Sequence, residues 1–258
     1  MNTIRKALVA GAAILAISAG APAPATAAGE AVHAPEQHWS FSGLFGTFDR
    51  AALRRGAKIY KEVCSGCHGL RLVAYRNLMD IGFSEDEVKA IAASVDVQDG
   101  PNDDGEMFDR PGLPADRFKS PFPNENAARA SNNGALPPDL SLIVKARLGG
   151  ADYIHGILTG YKEAPAGLTV PEGMHYNEYF PGHLIAMAAP LAEDGIEYAD
   201  GTKATVEQQS KDVTTFLAWA AEPELEVRKR MGVKVILFLL LLTGMFYVLK
   251  RRIWADVH

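Results

Sequence analysis

The chain has 258 residues, 48% of them hydrophobic, a formal charge of −5 and only two cysteines. Nothing repeats internally, and the length suits one compact domain with insertions rather than a string of domains. The acidic balance excludes nucleic acid as a partner, because phosphate backbones are met by clustered Lys and Arg.

Residues 1–28 have the form of a secretory signal. Arg5 and Lys6 make the charged start, Ala7 to Gly20 the apolar stretch, and Ala25-Thr26-Ala27 an Ala-x-Ala cleavage site. An uncleaved anchor is the competing reading, but the apolar run is short and Pro22 and Pro24 follow it. The mature chain is expected to begin near Ala28 or Gly29, with residues 29–227 exported.

Asp49 can cap a helix from Arg50 to Val63, whose Leu53, Gly56, Tyr60 and Val63 recur at three- and four-residue spacing. That helix runs directly into Cys64-Ser65-Gly66-Cys67-His68. Two cysteines three apart can each add to a vinyl group of one porphyrin, and the next histidine lies under the iron as its proximal ligand. The pattern implies one covalently bound haem c. A redox dithiol and half of a zinc site are the alternatives. The dithiol would follow a strand rather than a helix, and the remaining six histidines offer no second pair of ligands at motif spacing.

Further along, Ser84-Glu85-Asp86-Glu87 forms a capping box opening a helix to about Ser94. Between residues 84 and 109 nine acidic side chains are offset by Lys89 alone. A third helix is expected from Asp139, burying Leu140, Ile143 and Val144 and ending at Gly149-Gly150. A fourth, short set of turns follows from Tyr153 to Gly160, and a last soluble helix from Val206 to Ala221 carries Val213, Phe216, Leu217 and Ala220 on one stripe. Residues 98–138 and 161–203 are rich in Pro, Gly and Asn and show no strand ladder; such loops can be ordered by wrapping a large rigid cofactor. The fold expected from these elements is mainly α with long irregular loops.

Met231 to Leu249 is apolar except for Lys234, and as a helix its 19 residues cover roughly 28 Å, close to a bilayer's hydrocarbon core. Basic residues flank it on both sides, so orientation rests on the signal: with residues 29–227 exported, 250–258 form a short cytoplasmic tail. The expected location is the bacterial cytoplasmic membrane, single-pass, with the haem domain in the periplasm. Residues 29–227 carry 30 acidic and 17 basic side chains, a field suited to a cationic partner such as a basic electron carrier. For any single carboxylate, a solvated surface is the simpler account.

A sixth iron ligand has several candidates: Met79, Met107, Met174 and Met187, or His155, His175 and His183. Methionine favours the reduced iron and suits a high-potential carrier. Met187 lies in a loop of small residues between Pro181 and Pro190 that can bring backbone close to a porphyrin edge, although an isolated Met is most often core filling.

Over almost all its mature length the chain resembles cytochrome c1, the haem subunit of the quinol:cytochrome c oxidoreductase (bc1) complex. The resemblance is carried by Tyr60-Lys-Glu-Val-Cys64-Ser-Gly-Cys67-His68 with Ala74-Tyr75-Arg76, and by Ala127 to Ser141 with its Asn132-Asn133-Gly and Pro-Pro-Asp139. It continues in Tyr179-Phe-Pro-Gly182, Met187-Ala-Ala-Pro190, Asp200 to Thr205, Lys211 to Glu224 and Arg228-Lys-Arg-Met-Gly. The resemblance implies a class-I-like cytochrome c haem domain, with Met187 as the axial ligand opposite His68, Arg129 as a partner of a haem propionate, and Tyr60 nearby. It implies cytochrome b, a Rieske iron–sulfur protein and soluble cytochrome c as partners in a dimeric complex, membrane lipid around the span, and no catalysis by the isolated chain. The chain departs from some bacterial members in lacking a second cysteine pair, and its acidic insertion between 95 and 118 falls in a variable part. A haem enzyme or sensor with an open sixth position, and a c-type subunit of another respiratory complex, are the alternative functions.

Overall fold

The computed structural model describes residues 33–255; the expected signal and residues 256–258 lie outside the described residues. Its frame is a crossing of two helices, α1 (Arg50–Glu62) and α5 (Val206–Ala221). Asp49 starts α1 by accepting from the N–H groups of Ala51 and Ala52, and Thr205 starts α5 by accepting from Gln208. Both helices bury an apolar face, and Leu53, Ile59, Tyr60, Val213 and Phe216 between them are sealed from solvent. The approach is close because residue 56 is glycine: a Cβ there would stand 2.2 Å from the Asp212 carbonyl oxygen. Beside this contact the Arg55 guanidinium grips the buried Asp212 carboxylate through two bonds of 2.8 and 2.9 Å, and reaches Asp200 at 2.8 Å. Asp212 is thus a buried charge that is paired in the bidentate geometry it requires.

Around this crossing pack a 3-10 helix (Tyr75–Ile81), α2 (Glu85–Ala93) and α4 (Gly150–Thr159), filling the core with Leu78, Ile81, Val88 and Ile154. The capping box at Ser84 forms as expected, each partner accepting from the other's backbone N–H. The helix expected from Asp139 does not form; residues 140–149 are a run of tight turns. The Asp139 carboxylate is committed to the N–H groups of Arg71 and Ser141, and Gly149 and Gly150 take positive φ, so no continuous helix is nucleated. Leu140 and Ile143 are nonetheless buried.

The long polar segments hold more regular structure than their composition indicates. Antiparallel β1 (Asp96–Asp99) and β2 (Phe108–Pro111) pair Asp96 with Pro111 and Asp99 with Phe108, and a second ladder, β3 (His175–Tyr176) with β4 (Leu184–Ile185), ties off the loop before Met187. Neither has the apolar–polar alternation in its sequence that marks a strand. Arg110 substitutes for a buried face by bonding both Asp99 and Asp116. A further helix, α3 (Glu125–Ser131), starts from Asn124, which accepts from Ala127. The chain ends in α6 (Leu225–Ile253), 29 residues long, whose side chains from Val235 to Leu241 are all exposed. It is the one helix among the described residues long and apolar enough to cross a membrane.

Candidate haem-attachment site

Cys64–Gly66 forms a single 3-10 turn at the end of α1, in which the N–H groups of Cys67 and His68 both bond the Cys64 carbonyl, at 3.1 and 2.9 Å. One carbonyl thereby gathers both thiols and the imidazole onto one turn, with Cys64 half-buried and Cys67 exposed. The Tyr60 hydroxyl, one helical turn back, donates to the His68 carbonyl at 3.0 Å. Tyr60 itself is fully buried, and burial together with the neighbouring Cys64 raises its phenol pKa, so it serves as a neutral donor.

The segment 138–141 holds the motif from the other side. The His68 Nδ1 lies 2.7 Å from the Pro138 carbonyl, Leu140 donates to the Gly69 carbonyl at 2.8 Å, Arg71 donates to the Asp139 carboxylate and Leu72 to the Ser141 hydroxyl, both at 3.0 Å. A carbonyl can only accept, so Nδ1 carries the proton and Nε2 presents a bare lone pair. Burial lowers the His68 pKa, outweighing the Pro138 bond that favours the cation, and the ring stays neutral. An imidazole oriented through Nδ1 with Nε2 free is the arrangement a metal ligand needs. Gly69 permits the close approach, since a Cβ there would meet the Asp139 carboxylate at 2.9 Å. Leu72 and Leu142, flanking this seam, are each 47% exposed and offer apolar surface for a flat cofactor. The donor set therefore fits a c-type haem.

The two competing chemistries fit less well. Burial pushes the Cys64 thiol up to about 12, the reverse of the lowered pKa that makes a dithiol reactive. Among the described residues no three His, Cys, Asp or Glu side chains come together in a way that could hold a metal ion.

Met187 is fixed by a framework separate from that of His68. Its carbonyl accepts from the Tyr161 hydroxyl at 2.9 Å, and the β3–β4 loop before it is pinned to the end of α4 by the fully buried Asn177, which donates to Ile157 at 2.8 Å. Met187 is half-buried. Of the other candidate ligands, His155 is buried with Nδ1 on Ser210 at 2.8 Å and Nε2 beside Glu207 at 3.4 Å, while Met79 and Met107 are exposed on the surface. Met174 is half-buried, His175 is exposed, and the His183 ring stacks on Tyr176 with a buried, unpartnered Nδ1.

Arg129, on α3, is exposed and donates to the carbonyl of Gly134, just past the end of that helix, at 3.2 Å. A second arginine was not singled out from the sequence: Arg147, exposed on the turns after Pro138, donates to the Ala146 carbonyl at 3.1 Å and has no carboxylate partner among the described residues. The residues that orient His68, namely Pro138, Asp139 and Ser141, were also missed as site residues, although Pro-Pro-Asp-Leu-Ser stands out in the sequence. In the acidic stretch Glu85 and Glu87 are paired with Lys89 and Arg54, and Asp99 with Arg110; Asp86, Asp96, Asp103, Asp104, Glu106 and Asp109 have no ion-pair partner among the described residues.

Comparison with known proteins places these features in context. The family model described as the cytochrome C1 family matches residues 39–257. A cytochrome c1 of Rhodospirillum rubrum is 49% identical, with 100% of this chain and 99% of that protein aligned. The mitochondrial cytochrome c1 haem protein of Schizosaccharomyces pombe is 50% identical over 93% of this chain and 77% of its own length. A protein of Bradyrhizobium diazoefficiens named cytochrome b/c1 is 52% identical over 87% of this chain, which spans only 36% of it.

Proposed function

Because the chain belongs to the cytochrome c1 family, the haem subunit of the bc1 complex, we propose that it carries one haem c and relays single electrons from a Rieske iron–sulfur protein to soluble cytochrome c. Cys64 and Cys67 would hold the porphyrin by thioether links, and His68 and Met187 would fill both axial positions. When bound, the haem supplies a reversible one-electron iron couple. The chain's own part is to tune and to place. Tyr60 and Pro138 hold His68 from opposite sides, Tyr161 and Asn177 steady the Met187 loop, and Arg129 is assigned to a propionate. With His68 and Met187 both holding the iron, no position would be open for oxygen or substrate, and the isolated chain would make and break no bonds. Residues 1–28 are assigned as a cleaved signal, 29–227 as the periplasmic domain, 231–249 as the span beside cytochrome b, and 250–258 as a cytoplasmic tail.

The observation that carries this reading is the His68–Pro138 bond at 2.7 Å, which leaves Nε2 free at the head of a Cys-x-x-Cys-His turn. The test is rapid-mixing reduction of added cytochrome c by quinol through the purified complex. Electrons are expected to pass through this chain's haem, and the rate to fall with salt. Charge reversal at Asp103, Asp104, Glu106 and Asp109, which have no ion-pair partner among the described residues, should flatten that slope; an unchanged slope assigns the stretch to solubility. Full cytochrome c reduction when this haem is missing would overturn the proposal.

A further inference from the structure

A loop that the electron-transfer reading does not use lies where the domain meets α6. Residues 40–47 form a closed loop, with Thr47 donating to the Ser40 carbonyl and Ser42 to that of Trp39, both at 3.0 Å. Its neck is so tight that a Cβ on Gly46 would stand 1.9 Å from the Ser42 carbonyl oxygen. Its base is packed, Phe41 lying between Trp39 and Phe48 with ring centroids 5.5 and 5.0 Å away. Its tip is not: Leu44 is 59% and Phe45 79% exposed.

The loop is bolted to the start of α6. The Lys229 ammonium donates to the carbonyls of Phe41, Gly43 and Gly46 at 2.7, 2.6 and 3.3 Å, using all three of its protons. One turn earlier Glu226 accepts from the Phe48 N–H at 2.9 Å and from Arg50 at 3.0 Å. A helix rises about 1.5 Å per residue, so Lys229 stands roughly 3 Å before Met231 and roughly 9 Å before Val235. The polar layer of a bilayer is about 5–8 Å deep on each side, so with the span beginning at Met231 the Lys229 clamp stands at the depth of that layer. Arg230, beside Lys229 in sequence, has no carboxylate partner among the described residues, and neither has Lys234, about 6 Å further along the helix and long enough to reach back toward the surface; both suit anionic headgroups.

We infer that Leu44 and Phe45 form a second membrane contact, an apolar loop tip seated in the interfacial layer of the bilayer that α6 crosses. The inference rests on reading α6 as a span and deepens it: clamped through Lys229 and Glu226, a domain carried on one helix gains a second point of contact and loses freedom to tilt. An aromatic beside an aliphatic residue suits that layer, where apolar bodies are buried and backbone remains hydrated.

Nitroxide labels at Phe45→Cys, Ile236→Cys and Met107→Cys, one per variant of the haem-loaded chain in its assembled complex, reconstituted in phosphatidylcholine vesicles, would test this. Collision with oxygen and with a water-soluble nickel chelate is measured at each. Position 45 should favour oxygen over the chelate, at a shallower depth than position 236, while position 107 favours the chelate. Chelate access at 45 equal to that at 107, with 236 still in lipid, would overturn the inference and leave the span intact. An immobile label at 45 that neither reagent reaches would also overturn it, assigning the tip to a protein partner. Chelate access at 236 would remove the span and the inference together.

Discussion

Gly56→Ala sets two physical effects against each other at the crossing of α1 and α5. Helix propensity alone favours alanine by about 1 kcal/mol in a helix interior. Against this, the new methyl would stand 2.2 Å from the Asp212 carbonyl oxygen and 2.7 Å from the Phe216 Cβ, so the helices must separate by about 1 Å before ordinary contact is restored. Separation costs about 1–3 kcal/mol in packing. It also draws Arg55 away from a carboxylate that is 1% exposed, and loss of such a pair costs about 3–5 kcal/mol at the limit. The clash wins: a net loss of about 1–3 kcal/mol, or a Tm lower by roughly 3–10 °C in a domain of this size. The assay is thermal unfolding of the haem-loaded chain in detergent, followed by helical circular dichroism. Gly232→Ala, where a Cβ meets nothing within 4 Å, is the control and should leave Tm unchanged or raise it. A higher Tm for Gly56→Ala would refute the reasoning, because propensity would then have prevailed over packing.

Tyr60→Phe removes the donor to the His68 carbonyl at 3.0 Å and should cost about 1–2 kcal/mol in denaturant unfolding while leaving the axial-ligand spectrum unchanged. Met187→Leu should lower the midpoint potential steeply in a redox titration, since the thioether that favours reduced iron is gone; a normal potential would move the ligand elsewhere. Arg54 holds Glu87 at about 2 against an ordinary 4.5, and Arg55 holds Asp200 at about 2 against 3.8. Because these pKa values are depressed on folding, the stabilisation is complete above about pH 5 and is lost as pH falls toward 2. Tm measured from pH 5 to 2 should therefore fall, and Arg54→Gln should make that fall shallower.

The parts of the fold legible in the sequence are those in which neighbours along the chain suffice. Asp49, Ser84 and Thr205 each precede an apolar periodicity, and α1, α2 and α5 begin where those caps stand. The run from Asp139 misled because its apolar spacing is helical while its first carboxylate is used by Arg71, 68 residues away. The β1–β2 ladder was illegible for a related reason: Asp-Val-Gln-Asp and Phe-Asp-Arg-Pro have no alternation, and Arg110 supplies the cohesion. Cys64, Cys67 and His68 stand out as a candidate site from spacing alone, whereas Pro138, Asp139 and Ser141 meet that segment through contacts across about 70 residues that no local pattern records.

The central claim is one iron, covalently tethered and closed on both axial faces. A redox-titrated optical spectrum of the purified full-length chain, with haem counted per chain and the reduced form exposed to carbon monoxide, tests it most directly. One haem per chain, a single one-electron transition, a thioether-to-iron band when oxidised and no response to carbon monoxide are the predicted result. A colourless protein, or a reduced spectrum that shifts readily with carbon monoxide, would contradict it.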